Sequence, residues 1–321
     1  MNRAVQVVAT TGPDGVRVQE VPEPQAASGE VLLDVHAIGV SFPDLLLSRG
    51  QYQLRPEVPF TLGADCAGTV TGGALGPGLR VAAFLPHGAA AERVAVPASS
   101  VFPLPDAITF VQGAALPLNY LTAHFALAVR GQVRRGETVL VHGGAGGVGT
   151  ACLQVARGLG ARTVAVVSSE AKRQVALTAG ADHAVLVDGF RDEVAAITGG
   201  SGVDVVVDVV GGDVVTDSLR SLAPFGRLLV VGFASGQGIP EVKVNRLLLN
   251  NIDVRGVGWG AYAMPRPGYM AEQWAELLPM MDSGVVAPVI GATYPMEDYA
   301  QALVDMDERR TVGKSVIVVR D

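Results

Sequence analysis

The stretch Val139-Leu-Val-His-Gly-Gly-Ala-Gly-Gly-Val-Gly149 decides the fold of this chain. Its apolar run ends at His142, three glycines follow with the spacing Gly144-x-Gly146-x-x-Gly149, and residues 150–158 have helical periodicity. Strand, glycine turn and helix in this order are typical of a dinucleotide-binding loop, where the backbone and the first helical N–H groups approach a pyrophosphate. The alternative, in a chain with 40 glycines, is a turn without a ligand. We predict dinucleotide contacts at Gly144, Ala145, Gly146, Gly147 and Val148.

Residues 138–257 continue as a regular alternation of short β-branched runs and helical stretches. The runs predict six strands, at Thr138–His142, Arg162–Val167, Ala184–Val187, Val203–Val209, Arg227–Phe233 and Ile252–Val257. The stretches between them predict five helices, at Val148–Gly160, Glu170–Gly180, Phe190–Thr198, Val214–Ala223 and Glu241–Asn250. This alternation predicts an α/β fold with a doubly wound parallel sheet, whose ligand crevice lies at the carboxyl ends of the strands. Further cofactor contacts are therefore expected after the fifth and sixth strands, at Gly232, Phe233, Ala234, Val257, Gly258 and Trp259.

The first hundred residues have a different pattern, with short strands between loops rich in proline and glycine. We predict a mostly β domain with strands at Ala4–Ala9, Gly15–Val21, Glu30–Gly39, Cys66–Thr71, Leu79–Leu85 and Ala91–Pro97. Beyond Trp259, helices are expected at Tyr269–Asp282 and Met296–Asp307. The closing strand, Ser315–Val319, has no place in the parallel sheet, so we expect it to return to the N-terminal domain.

Composition narrows the class of protein. The net charge is −7 at pH 7 and no cluster of Lys and Arg occurs, so no nucleic-acid partner is expected. The two distant cysteines indicate a reducing compartment, and the N-terminus lacks the pattern of a signal peptide. Residues 109–129 carry no charged side chain, but their polar groups favour a buried inter-domain helix over a membrane span. We therefore expect a cytoplasmic protein without a membrane partner.

Six segments, taken in this order, resemble one known family. They are Gly39–Tyr52, Leu116–Ala123, Val141–Gly149, Asp208–Gly212, Pro224–Gly232 and Val312–Ser315. The chain resembles, over nearly its whole length, the zinc-independent NADPH:quinone oxidoreductase (ζ-crystallin-like) family of the medium-chain dehydrogenase/reductase superfamily. The resemblance implies a GroES-like β-barrel catalytic domain at residues 1–121 and 262–321, and an NADPH-binding Rossmann domain with a six-stranded parallel sheet at residues 122–261. It also implies cofactor contacts at Thr122, beside the nicotinamide, and at Gly211.

Zinc-dependent members of the superfamily have a cysteine and a Gly-His-Glu run where this chain resembles them at Ser41 and at Gly63-Ala64-Asp65. Serine, alanine and aspartate leave no soft ligand, so we predict no metal. Without a Lewis acid, the expected acceptor is one that is already electron-poor, such as a quinone or a conjugated enone. Cys66 is expected to be a buried strand residue rather than a ligand.

The choice between NADPH and NADH depends on the end of the second strand of the parallel sheet. An NAD enzyme usually has an acidic residue there for the ribose hydroxyls, whereas this strand leads into Ser168 and Ser169, followed by Lys172 and Arg173. Hydroxyls and cations suit a 2′-phosphate, so we predict NADPH bound by Ser168, Ser169 and Lys172. The alternative is that Ser169 caps a helix, Glu170 complements its dipole and the cations are solvated.

Two side chains are candidates for the chemistry itself. The resemblance places Tyr52 over the nicotinamide, where its hydroxyl would hydrogen-bond or protonate the acceptor; the alternative is packing without chemistry. Ser41 stands where relatives commonly have asparagine and is the second catalytic candidate, as a hydroxyl contact. Asp44 is expected to cap or brace the following helix. The five histidines are expected to be structural, with His142 satisfying backbone groups.

Together these features predict a metal-free reductase that transfers hydride from NADPH to a quinone or a similar electron-poor carbonyl acceptor, a small-molecule partner. Two alternatives stay open. One is a 2-enoyl or enone reductase of the same superfamily, and the other is a non-catalytic, crystallin-like protein that binds NADPH. The sixth strand, Ile252–Val257, is expected at the open edge of the sheet, so we also predict a homodimer that pairs through this edge.

Overall fold

The computed structural model describes residues 1–320, which form two compact units. The first unit comprises Met1–Leu118, Met270–Trp274 and residues 288–320. The second comprises Asn119–Tyr269 and Ala275–Ala287. Residues 119–121, 262–269 and 275–287, which the sequence-based boundaries give to the first domain, therefore cluster with the second unit.

The first unit is a GroES-like domain built on two sheets. Its strands are β1 (Asn2–Val7), β2 (Val16–Val21), β3 (Glu30–Val40), β4 (Phe60–Thr61), β5 (Asp65–Gly73), β6 (Arg80–Phe84), β7 (Arg93–Pro97), β8 (Val101–Pro103), β15 (Ile290–Pro295) and β16 (Lys314–Val318). The smaller sheet has the order β2-β1-β4, and the larger has the order β15-β16-β3-β5-β6-β8, with β7 also paired to β3. Its helices are α1 (Phe42–Ser48), α2 (Phe110–Gly113) and α11 (Tyr299–Asp307).

The closing strand pairs antiparallel with β3, with Ser315 opposite Val40 and Val318 opposite Ala37. The predicted return of this strand to the N-terminal domain is thus confirmed. Three strands, β4, β8 and β15, were missed. The first two have two and three residues, too few for an alternating pattern to be seen, and β15 is interrupted by a register shift around Gly291.

The second unit holds a six-stranded parallel sheet with the order β11-β10-β9-β12-β13-β14. The strands are β9 (Thr138–His142), β10 (Arg162–Val167), β11 (His183–Leu186), β12 (Val203–Asp208), β13 (Leu222–Val230) and β14 (Asp253–Gly256). The helices wholly within this unit are α4 (Gly147–Gly158), α5 (Glu170–Thr178), α6 (Phe190–Ile197), α7 (Val214–Ser221), α8 (Asn245–Asn250) and α9 (Trp259–Ala263), while α3 (Pro117–His124) and α10 (Tyr269–Asp282) have residues in both units. The prediction of a doubly wound α/β sheet is confirmed.

The long helix expected over residues 109–129 is wrong as a single element. Helix α2 ends at Gly113, a new helix begins at Pro117, and a π-helical turn runs from Phe125 to Arg130. Proline explains the break, because it lacks an N–H and its ring clashes with the carbonyl four residues earlier. None of the helices within residues 1–320 is long and apolar enough to cross a membrane.

Two bounds near the edge of the parallel sheet also differ from the prediction. The expected helix over residues 241–250 is helical only from Asn245, because β-branched Val242 and Val244 disfavour helix. Strand β13 begins at Leu222 rather than Arg227. Its Pro224-Phe225-Gly226 run looks like a turn, and Phe225 takes a φ of +66° there, but the chain stays in the sheet.

Candidate functional site

The glycine turn after β9 shows which of its glycines the fold itself requires. A Cβ at Gly149 would lie 2.0 Å from the Gly143 carbonyl oxygen, and one at Gly144 would lie 2.7 Å from Ala165 Cβ. A Cβ at Gly146 would meet only the Gly143 oxygen, at 3.4 Å. The fold therefore requires Gly144 and Gly149, whereas Gly146 presents an open backbone of the kind that a pyrophosphate approaches.

Helix α4 starts at this turn, with Gly146 as its N-cap residue. The N–H of Thr150 donates to the Gly146 carbonyl at 2.8 Å, so the N–H groups of residues 147–149 precede the first helical hydrogen bond. With the positive end of the helix dipole, they make a site for an anionic group. Ala145 is buried in this turn, and its contact with a cofactor stays a prediction.

The loops that follow β12 and β13 are hydrogen-bonded to each other at the carboxyl edge of the sheet. Asp208 Oδ1 accepts hydrogen bonds from the N–H groups of Val210 at 2.8 Å and Gly211 at 2.9 Å, and its carbonyl accepts from Val231 at 2.8 Å. Gly211 has a φ of +67° and lies against the ring of Phe233. The predicted contacts Gly211, Gly232, Phe233 and Ala234 therefore belong to one connected surface.

The loop after β14 lies at the same edge. The Val257 N–H donates to the Val230 carbonyl at 2.9 Å, so Val257 continues alongside β13. Trp259 is buried and opens α9, while Gly258 is exposed. The structure thus places the predicted residues Val257, Gly258 and Trp259 at the carboxyl ends of the strands, and their contact with a cofactor stays a prediction.

Beyond β10, Ser169 is the N-cap residue of α5, and its hydroxyl accepts a hydrogen bond from the Lys172 N–H at 3.3 Å. Glu170 contacts Arg173 at 3.5 Å. The capping interpretation is confirmed, and it leaves the side chains of Ser168 and Ser169 exposed and that of Lys172 half-buried. The proposed role of these three residues toward a phosphate stays a prediction.

His142 ends β9 and is buried. Its Nε2 lies 2.7 Å from Ser218 Oγ and its ring packs edge-on against Phe190. The expectation that it satisfies backbone groups is wrong, because its partner is a side-chain hydroxyl on α7. Burial lowers the pKa of His142 to about 4, so the ring is neutral at physiological pH.

A cluster of buried charges occupies the first unit around Ser41. Lys314 Nζ donates to Ser41 Oγ at 2.6 Å and to Asp65 Oδ2 at 2.7 Å, and the Ser41 hydroxyl lies 3.3 Å from the same carboxylate. The second oxygen of Asp65 accepts from the Leu118 N–H at 2.8 Å. The side chains of Lys314 and Asp65 are 4% and 0% exposed, so this ion pair is sealed from water.

Asp44 lies in the same cluster. One of its oxygens accepts from the Ser41 N–H at 2.8 Å and the other from the Gly63 N–H at 3.0 Å. The expectation that Asp44 caps α1 is confirmed. Burial raises the pKa of Asp44 to about 6, with the Lys314 ammonium among the groups that oppose the shift. Burial and the Asp44 carboxylate together raise the pKa of Tyr299 well above its ordinary value.

Tyr52 is half-buried in the bend after α1 and packs against the core of the first unit. Burial and the negative charge of Asp44 raise the pKa of Tyr52, so its phenol is protonated at neutral pH. Thr122 is half-buried in α3. Cys66 is a buried strand residue, as expected.

Sequence reasoning missed Lys314 as a member of this cluster. The run Lys314-Ser-Val-Ile-Val318 contained a signal, because a lysine at the head of an apolar strand needs a buried partner. Which carboxylate would face it could not be known before the pairing of β16 with β3 and of β3 with β5 was known. Among residues 1–320, no group of three or more His, Cys, Asp or Glu side chains is arranged to hold a metal ion.

Comparisons with known proteins agree with this architecture. The alcohol dehydrogenase GroES-like domain matches residues 27–106, and the zinc-binding dehydrogenase family matches residues 147–283. Quinone oxidoreductase-like protein 2 of Bos taurus is 34% identical over 94% of this chain and 89% of its own length.

Two solved structures are also similar over nearly the whole chain. A probable oxidoreductase from Mycobacterium abscessus is 41% identical with a TM-score of 0.90, and covers 99% of both chains. A mycobacterial protein solved in complex with NADPH is 34% identical with a TM-score of 0.91, over 99% of this chain and 100% of its own. The chain belongs to the quinone oxidoreductase family of the medium-chain dehydrogenase/reductase superfamily.

Proposed function

We propose that this oxidoreductase uses NADPH, acts without zinc and reduces a quinone or a similar electron-poor carbonyl compound. The observation that carries the proposal is the Lys314 ammonium, bonded to Ser41 and Asp65, because zinc-dependent members of the superfamily have metal-site residues at positions 41, 64 and 65. In this chain the buried Lys314 ammonium already neutralises the Asp65 carboxylate. The name of the bovine relative supports a quinone as acceptor.

Zinc does not fit this cluster. It takes three or four sulfur, nitrogen or carboxylate ligands, whereas this cluster holds one hydroxyl, the Asp65 carboxylate paired with Lys314, and the Asp44 carboxylate bonded to two backbone N–H groups. A dication would also meet the repulsion of a buried ammonium. We expect chelator-treated protein to keep its activity and to contain no stoichiometric zinc by elemental analysis. Loss of activity on chelation, restored by zinc, would refute this part of the proposal.

The second unit offers groups that fit NADPH. The open backbone at Gly146 and the first N–H groups of α4 suit the pyrophosphate, and Ser168, Ser169 and Lys172 suit the 2′-phosphate. When bound, NADPH supplies the hydride from C4 of its nicotinamide. The NADPH complex of the mycobacterial structure supports this choice. Thr122 is proposed to contact the nicotinamide.

Tyr52 is proposed to hydrogen-bond or protonate the acceptor oxygen, since its raised pKa keeps the proton on the phenol. Ser41 stays the second proposed catalytic residue, as a hydroxyl contact, and its hydroxyl is bonded to Lys314 and Asp65. If Tyr52 acts as the proton donor, Tyr52→Phe should lower kcat by about a hundredfold, the low end for general acid catalysis. A severalfold loss would mean that the ring only packs. Tyr294→Phe, a tyrosine bonded to Asp305 in the same unit, is the control.

A three-way turnover assay tests the reaction itself. NADPH oxidation is followed with a quinone, with an enoyl thioester and with neither, and NADP reduction is followed with simple alcohols. We expect turnover with the quinone and none with alcohols. Brisk enoyl-thioester reduction with negligible quinone turnover would favour the enone reductase. Binding of NADPH without any turnover would favour a non-catalytic role.

A homodimer is also proposed. The predicted pairing is through the open edge of the sheet, where β14 is an edge strand. Asp253 and Arg255 lie in this strand, and exposed apolar side chains lie just before it in sequence, in and beside α8. Val244, Leu248 and Leu249 are 75%, 77% and 74% exposed, which is typical of a surface that another chain covers. Light scattering should show a dimer that Leu248→Lys converts to a monomer, whereas Leu177→Lys on α5 leaves it intact. A monomeric wild-type protein would refute the proposal.

The cytoplasm is the proposed compartment. Cys66 and Cys152 are free and buried, and burial raises the pKa of each thiol to about 12. Neither thiol is therefore ready to form a disulfide, which suits a reducing environment. Cell fractionation with a cytoplasmic marker tests this, and recovery with a secreted marker would contradict it.

A further inference from the structure

The segment from Trp259 to Tyr269 is fixed at the carboxyl edge of the parallel sheet. The Tyr262 N–H donates to the Gly258 carbonyl at 3.1 Å, directly after the loop that follows β14. The rings of Tyr262 and Phe125 lie 5.1 Å apart. Phe125 follows Thr122 by three residues, about one helical turn, so this segment packs beside the helix that carries Thr122.

One cation on this segment is held in a defined place. The guanidinium carbon of Arg266 lies 3.8 Å from the centroid of the Tyr262 ring, and its Nη1 donates to the Tyr262 carbonyl at 2.7 Å. The Tyr262 ring is in turn held by Tyr269, edge-on at 5.1 Å. Stacking and one hydrogen bond restrict the guanidinium and leave its other N–H donors for a ligand.

Four arginines of this unit have a carboxylate within 3.5 Å, namely Arg173, Arg220, Arg227 and Arg255. Arg266 belongs to the larger group without such a partner, and what distinguishes it is the Tyr262 ring under its guanidinium. Within residues 1–320, no carboxylate forms an ion pair with Arg266. Exposed apolar residues lie close to it in sequence, namely Ala261, Met264, Pro265 and Pro267. An oriented, unneutralised guanidinium in apolar surroundings fits a ligand that has an apolar ring and an anionic substituent.

We infer that Arg266 is a specificity-determining residue that selects, among electron-poor acceptors, those that carry an anionic group such as a carboxylate or a sulfonate. The inference rests on the proposed function, because it assigns the acceptor to the carboxyl edge where NADPH is proposed to bind. The guanidinium would bind the anionic group, and the apolar neighbours would contact the ring.

The test compares 1,2-naphthoquinone-4-sulfonate with uncharged 1,2-naphthoquinone at saturating NADPH. Arg266→Met should lower kcat/KM for the sulfonate about fivefold, the size of an exposed ion pair, and leave the uncharged quinone within twofold. Arg266→Lys should retain part of the preference, and 0.5 M salt should weaken it in the wild type. The control is Arg191→Met, which replaces an exposed arginine on α6 and should leave kcat/KM unchanged for both quinones. Equal losses for both quinones would overturn the inference.

A binding measurement separates this inference from the proposed function. Calorimetric titration of the NADPH-loaded protein with 2-naphthalenesulfonate and with 2-naphthol needs no turnover. Tighter binding of the sulfonate that Arg266→Met abolishes supports the inference even if neither quinone is reduced, a result that would refute only the proposed reaction. Equal affinity for the two compounds, or a preference that Arg266→Met leaves unchanged, would overturn the inference whatever the reaction is.

Discussion

The carboxyl edge of the parallel sheet and the buried cluster around Ser41 are built from different kinds of polar group. The edge is made of backbone, with the open face of Gly146 and the first N–H groups of α4 left for a ligand. The cluster is made of side chains, with Lys314 bonded to Ser41 and Asp65 and sealed from water. Substitutions in the cluster should therefore act on stability, whereas substitutions of the groups that the edge leaves for a ligand should act on cofactor affinity.

The largest effect is expected for Lys314→Met. Removing the ammonium leaves the Asp65 carboxylate buried without its cation, which costs about 3–5 kcal/mol of unfolding free energy. Urea denaturation measures the loss. The exposed Lys243→Met is the control and should change stability by less than about 0.5 kcal/mol. Adding Asp65→Asn to Lys314→Met should restore part of the loss, and a single variant as stable as the wild type would refute the ion-pair account.

The pH dependence of stability should have opposite signs in the two regions. The pKa of Asp44 is raised to about 6, so its contribution to stability is complete below pH 3.8 and is lost as the pH rises toward 6. The pKa of His142 is lowered to about 4, so stability is complete above pH 6.5 and falls as the pH drops toward 4. Each effect amounts to about 3 kcal/mol at most.

Variants separate these two contributions. Between pH 4 and 6, Asp44→Asn should make stability rise more steeply with pH than in the wild type, and His142→Gln should make it rise less or fall. Urea midpoints at three pH values are sufficient, with the exposed Asp192→Asn as the control. Identical slopes in all four proteins would show that neither group titrates in this window.

The contrast between these regions also explains what the sequence could predict. The edge is encoded locally, so the bounds of β9 and β10 and the turn at Gly144, Gly146 and Gly149 followed from short patterns. The cluster joins Ser41 and Lys314, which are distant in sequence, through strand pairings that no local pattern reveals. The helix break at Pro117 was missed, although a single proline decides it and its signal is local.

Lys172→Glu tests whether the edge binds the 2′-phosphate. If Lys172 contacts the 2′-phosphate, its replacement by a carboxylate should weaken NADPH binding by about 1.5–3 kcal/mol, or ten- to a hundredfold, with a much smaller effect on NADH. The unfolding free energy should stay within about 0.5 kcal/mol, because Lys172 lies in the first turn of α5 away from the core. Fluorescence titrations with both cofactors measure the ratio. An equal loss for NADPH and NADH would mean that Lys172 is a solvated helix residue.

The smallest effect is expected for Gly146→Ala, and Gly149→Ala in the same turn is its comparison. Gly146→Ala places a methyl group 3.4 Å from the Gly143 oxygen at a φ of −86°, which alanine tolerates, so stability should change by less than about 1 kcal/mol. The methyl group would occupy the face left for the pyrophosphate, and NADPH affinity should fall about tenfold, or 1.4 kcal/mol. Gly149→Ala would place its methyl group 2.0 Å from the same oxygen, so it should destabilise the fold itself. If thermal melts and NADPH titrations showed the same pattern for both variants, Gly146 would be a structural glycine and the open face would not be the cofactor site.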